Sequence, residues 1–130
     1  MRGDFTSTPT TLDTEKHAAL LHTLGDPALD NEPNRVAAAY TLANTEAGVY
    51  ELLKLMYTQD DCVRRSVMYG LGSVRSDVIA DELAAMLATG KKLTAIGVSD
   101  ALAALGMMGR FSVKAIPVVL KVCKSARASV

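Results

Sequence analysis

Residues 60–72 read DDCVRRSVMYGLG: two carboxylates, two arginines and a closing Leu-Gly pair. Val63, Val67, Met68 and Leu71 recur at i, i+4, i+5 and i+8, which places them along one stripe of a helix. Weaker copies of this pattern flank it. With Leu42-Ala43, Leu71-Gly72 and Leu105-Gly106 in register, the separations are 29 and 34 residues. Upstream of these pairs stand NRVAAAYTLA, VRRSVMYGLG and GVSDALAALG, alike in their small and apolar positions. Downstream come AGVYELLKLM, DVIADELAAML and VKAIPVVLKV, each an amphipathic segment after a capped break. The pattern predicts three helix-turn-helix repeats preceded by one unpaired helix. A single hairpin of this kind exposes an apolar face, so neighbours must stack to cover it.

Taken in order, the periodicity predicts about seven helices in an all-α chain. The first spans 13–25, with Ala18, Leu20, Leu21 and Leu24 inward, and Gly25-Asp26-Pro27 stops it. Asp30 or Asn31 caps the second, 33–43, with Val36, Ala39, Tyr40 and Ala43 on its core face. The third, 46–57, buries Val49, Leu52, Leu53 and Met56. The fourth is the opening stretch carried to about Val74; Ser76-Asp77 caps the fifth, VIADELAAMLA at 78–88, which presents Ile79, Leu83, Met86 and Leu87. A sixth over 92–108 uses Ile96, Ala101, Leu102 and Leu105. Ser112 caps a seventh, where Pro117 is tolerated near the first turn. Residues 1–12 read as a flexible arm and 13–125 as the repeat domain, with repeats at 33–58, 60–89 and 92–125. Residues 126–130 read as a frayed end.

Composition narrows the function classes. A chain of 130 residues is one domain's worth, and 49% apolar content excludes overall disorder. Aromatics are 5% with no Trp, so the core is made of small and flexible side chains that let helices approach closely. Cys62 and Cys123 match no metal or redox spacing and read as reduced, mostly buried thiols in an intracellular, reducing compartment. No run approaches about 18 continuous apolar residues, so no membrane span is expected. His17 and His22 lie five apart on opposed helix faces and cannot clamp a metal as an i, i+4 pair does. No serine or cysteine has a catalytic setting and no glycine loop cradles phosphate. The expectation is no enzyme, no cofactor and no metal. Arg64 and Arg65 beside Asp60 and Asp61 could hold an anion; the structural reading has the aspartates cap the helix and pair with arginines.

The quoted segments DDCVRRSVMYGLG and ALAALGMMGRFSVKAIPVVL resemble HEAT-like repeats of the phycobilisome-lyase type, over roughly residues 30–125. That resemblance implies a short right-handed α-solenoid of stacked antiparallel helix pairs, with the second helix of each pair lining the concave face. The third repeat carries Val98 near the arginine position, and the first has Asn34-Arg35-Val36 in shifted order. The resemblance also allows a lyase-like or chaperone-like role in handling a bilin, which needs a cation for the pigment's propionates. The iron-dependent HEAT-like hydroxylases carry adjacent His-Glu pairs, whereas here Ala18 follows His17 and Thr23 follows His22.

Charge is distributed unevenly. Residues 1–90 hold 7 Lys+Arg against 13 Asp+Glu, a net of −6, while residues 91–130 hold 7 against Asp100 alone, a net of +6. In a stack, sequence order becomes spatial order, so the two ends differ in charge and can steer association. A neutral domain with few aromatics argues against nucleic acid. The last helix is apolar nearly all round, through Val113, Ile116, Val118, Val119, Leu120, Val122 and Cys123, which points to an interface at the C-terminal end. The expected function is a non-catalytic scaffold or assembly subunit that binds another protein or a second copy of itself through the concave face and the apolar, basic C-terminal helix. The candidate partner-binding residues are Tyr50, Glu51, Lys54, Tyr57, Asp81, Glu82 and Lys114, with Val118, Lys121 and Lys124 on the last helix.

Overall fold

The computed structural model describes residues 14–89 and 93–128, and every regular element among them is helical. The expected arm at 1–12 lies outside the described residues, as do residues 129–130 of the expected frayed end. Helix α1 spans Thr14–Gly25, α2 Glu32–Leu42, α3 Glu46–Leu55, α4 Asp61–Gly72, α5 Asp77–Thr89, α6 Ala95–Met108 and α7 Ile116–Ala128. A short 3-10 turn, Leu29–Asn31, leads directly into α2, and a longer one, Gly109–Ala115, joins α6 to α7.

That second junction corrects the expected count of about seven. No coil separates α6 from α7, so the described residues form six continuous helical runs. The chain bends there through Gly109, whose φ of 61° is a conformation that favours glycine. The last run also continues to Ala128, past the expected end near Ser125. Pro117 is the second residue of α7, where the missing N–H costs little.

Short polar side chains start the helices. Thr45 Oγ1 accepts from the Gly48 amide at 3.0 Å, Asp60 Oδ1 from the Val63 amide at 3.0 Å, and Thr94 Oγ1 from the Gly97 amide at 2.9 Å. Asn31 precedes α2 but does not cap it with its side chain. Its amide instead donates to the carbonyls of Thr23 and Asp26, at 3.0 and 3.1 Å, tying the α1–α2 connector back onto α1.

The closest backbone packing runs from α2 to α4 and from α4 to α6, so the opening stretch lies between two neighbours. Helix α1 packs on α2, α3 rests against α2 and α4, and α5 against α6, the long 3-10 turn and α7. Small residues set the α2–α4 distance: a Cβ on Gly70 would lie 2.8 Å from the Ala39 carbonyl oxygen. Val63, Val67, Met68 and Leu71 are all buried, as are Val49, Leu52, Leu53 and Met56 of α3.

Some expected core positions are not buried. Ala18 is exposed, Tyr40 is 43% exposed and Ile96 faces outward. On α2 the inward stripe is Arg35, Ala38, Ala39 and Leu42, spaced i, i+3, i+4 and i+7, which turns Tyr40 to solvent. The stripe was hidden because its first member is a charged residue.

One helical run, Ala95–Lys121, is long and apolar enough by length and composition to cross a membrane, contrary to the expectation from the sequence. Its α6 half is core, with Ala101, Ala104, Leu105 and Met108 buried and Asp100 ion-paired to a neighbouring helix. The rest of the run keeps Ile96, Met107, Val113, Ile116 and Leu120 exposed.

Two glycines test the packing. Gly70→Val should destabilise the protein by about 1–3 kcal/mol, because the added atoms meet α2 backbone. Gly106→Ala, where nothing lies within 4 Å, should stabilise it by roughly 0.5–1 kcal/mol. Urea unfolding of both variants measures the difference; equal effects would contradict the close approach at Gly70.

Candidate functional site

The strongest polar construction in the molecule is internal. Arg64 on α4 is 0% exposed. Its Nε donates to Asp100 Oδ2 of α6 at 2.9 Å, Nη1 to the Thr58 carbonyl at 2.8 Å, and Nη2 to Asp61 Oδ1. Arg35 on α2 is 1% exposed and repeats the arrangement. Its Nε donates to Ser66 Oγ of α4 at 3.2 Å, and its Nη1 to the carbonyls of Asp26 and Ala28 at 2.8 and 2.7 Å.

In the Leu-Gly register, both arginines stand seven residues before the reference leucine, and both reach a residue five before the reference leucine of the next repeat. Each also ties down carbonyls of the connector ahead of its own helix. The third repeat has Val98 at the arginine position, so the series ends on α6. Asp60 caps α4 and Asp61 pairs with Arg64, while Arg65 faces solvent. The acid–arginine cluster is therefore structural, and Arg35 keeps the arginine position despite the shifted sequence around it.

Burial acts to lower the Arg64 pKa, but the hydrogen bonds to Asp61 and Asp100 and their charges outweigh it, and the guanidinium is held above its ordinary value. A folded value above the unfolded one gives stability that is complete below the unfolded pKa and is lost as pH rises through the folded one. The Arg64 side of the pair is thus indifferent to pH across the neutral range.

The expected partner-binding residues fall on or just past α3, on α5, in the 3-10 turn before α7 (Lys114) and on α7. Tyr50 and Lys54 are exposed on α3, Glu51 is half-buried, and Lys54 Nζ donates to Glu51 Oε1 at 3.2 Å. Tyr57 lies just past the end of α3 and is half-buried; Asp81 and Glu82 are exposed on α5. Lys114 lies 4.0 Å from Asp77, both well exposed. Lys121 and Lys124 are exposed on α7, whereas Val118 is half-buried and packs with Val119 against the core.

Helix α7 is not uniformly apolar in its surroundings. Val118 and Val119 face inward, as does Ala115 just before the helix, while Ile116 and Leu120, 50% and 57% exposed, form a stripe with Val113 that the described residues leave exposed. Lys121 and Lys124 run beside that stripe. Cys62 is free and half-buried, and the Cys123 side chain lies outside the described residues.

Two further features bear on chemistry. Among the described residues no group of three or more His, Cys, Asp or Glu could hold a metal ion. An open groove of about 380 Å³ lies between α1 and α2, lined by Leu20, His22, Thr23, Asp26, Asn31 and Asn34 among others. No lysine or arginine lines it, so this groove lacks the cation that a pigment's propionates need. No protein-family model, curated protein or solved structure gives a significant match to this chain.

Removing either partner of the buried pair should destabilise the fold. Arg64→Ala should cost about 3–5 kcal/mol, since it leaves buried Asp100 without its partner; Asp100→Ala should cost less, about 1–3 kcal/mol, because Arg64 keeps Asp61. The double change Arg64→Met with Asp100→Leu should recover more than half of the Arg64→Ala loss. Chemical denaturation measures this, and a cycle through Arg64→Ala, Asp100→Ala and the double alanine variant isolates the pair: additive single effects would show that the two residues do not act as a pair.

Proposed function

We propose that this chain is a non-catalytic interaction scaffold or assembly subunit, a short HEAT-like α-solenoid that holds a protein partner through its C-terminal end and the outer faces of α3 and α5. The observation that carries the reading is the stripe of Ile116 and Leu120, half or more exposed on a helix whose opposite side is packed into the core. Covering the exposed half of these two side chains contributes on the order of 1.5–3 kcal/mol, which favours a protein cover over water. The lysines beside the stripe favour an acidic partner surface. The repetition of the Arg35 and Arg64 contacts from one repeat to the next supports the stacked architecture.

The reading separates fold from binding. Ile116→Asp with Leu120→Asp should change stability little, about 0.5 kcal/mol per site, because both positions already face solvent. Val118→Asp should destabilise the fold. Affinity isolation from the native source with wild type and the Ile116/Leu120 variant tests the function: a partner held by the first and lost by the second supports it. Retention of the same partners by both would remove the C-terminal stripe from the account.

A further inference from the structure

The end of the molecule opposite in charge to α7 carries its own exposed apolar residue. Leu29, in the turn between α1 and α2, is 84% exposed, and the exposed acids Asp26, Asp30 and Glu32 surround it in sequence. No lysine or arginine interrupts residues 26–34. This turn is rigidly built: Asn31 donates to the Thr23 carbonyl of α1 and to the Asp26 carbonyl, and the Arg35 guanidinium holds the Asp26 and Ala28 carbonyls from inside. Leu29 is thus a pre-positioned apolar knob in an acidic rim. The α7 stripe is its complement, an apolar strip of Val113, Ile116 and Leu120 bordered by Lys121 and Lys124.

We infer that a second copy of this chain covers the α7 stripe, by placing its acidic Leu29 turn there in a head-to-tail contact. The inference rests on the scaffold reading and names the occupant of the surface proposed there. The argument is complementarity of both kinds, since an apolar knob with an acidic border matches an apolar strip with a basic border. A contact between two different surfaces of the same molecule is heterologous, so a joined pair keeps one free head and one free tail, and association continues into a chain or ring. The rigidity of the Leu29 turn keeps the ordering cost of docking low.

Sedimentation of the full chain over a concentration series tests this. Wild type should form assemblies whose mass grows with concentration, and raising salt from about 0.05 to 0.5 M should weaken them. Leu29→Lys disables the head and Ile116→Ser with Leu120→Ser disables the tail; each alone should weaken association on the order of tenfold or more. An equimolar mixture of the two variants retains one good head and one good tail, and should stop at a 1:1 pair. Circular dichroism confirms that both variants are folded, which their exposure makes the expected result. A strictly monomeric wild type overturns the inference, as does a Leu29→Lys variant that associates as well as wild type. Binding of a monomeric wild type to phosphatidylserine vesicles through the Ile116/Leu120 stripe would assign that stripe to a membrane surface instead. A monomer that still loses a foreign partner on changing Ile116 and Leu120 would leave the scaffold reading standing and this one overturned.

Discussion

A guanidinium cannot stay in a helical core unless its charge and its N–H groups are answered there. Arg64 is fully buried, and its three nitrogens are answered by Asp61 on its own helix, Asp100 on the next and the Thr58 carbonyl in the connector before it. The position of α6 follows from this requirement. Were α6 to shift, the buried cation would lose one of its two carboxylates and the buried Asp100 its ion pair, at a cost comparable to a large part of a domain's net stability. Arg35 imposes a milder version of the same constraint between α2 and α4, since its three bonds go to neutral oxygens. α4 is therefore joined on one side by the arginine of its predecessor and on the other by its own.

Apolar packing completes what the arginines align. The α2–α4 crossing is close because Gly70 faces Ala39, and Leu42, Val67, Leu71 and Leu105 are buried in the same core. Gly97, at the start of α6, leaves room for the Arg64 side chain, whose Cδ would lie 3.5 Å from an added Cβ. Small residues and long charged ones thus serve one arrangement.

How much of this was legible follows from the signals involved. The stripes of α3 and α4 were readable because their inward positions are all apolar, and the Thr45 and Asp60 caps because short acceptors precede each run. On α2 the period was present, but hydrophobicity alone favoured Tyr40 over Arg35, and the charged residue is the buried one. The Arg64–Asp100 pair joins residues 36 apart, with nothing local to mark it. The offset between arginine position and partner position in adjacent repeats was the one available sign, and it emerges only after the repeats are in register. Asp100 was visible as the sole acid of the basic segment; burial gives it a role that charge counting could not. On α7, composition showed an excess of apolar residues, and only the packing separates the inward Val118 and Val119 from the uncovered Ile116 and Leu120.

The interior charges thus join α2, α4 and α6, while the surface presents an acidic turn between α1 and α2 and, on α7, exposed apolar and basic side chains. This division rests on α2, α4 and α6 behaving as one unit joined by buried arginines. Native-state hydrogen exchange across a denaturant series measures that directly. The account predicts that the slowest amides of α2, α4 and α6 merge into a single opening reaction at the global unfolding free energy, with α7 opening at lower cost. A separate, lower-energy opening of α6 while α2 and α4 remain protected would contradict it.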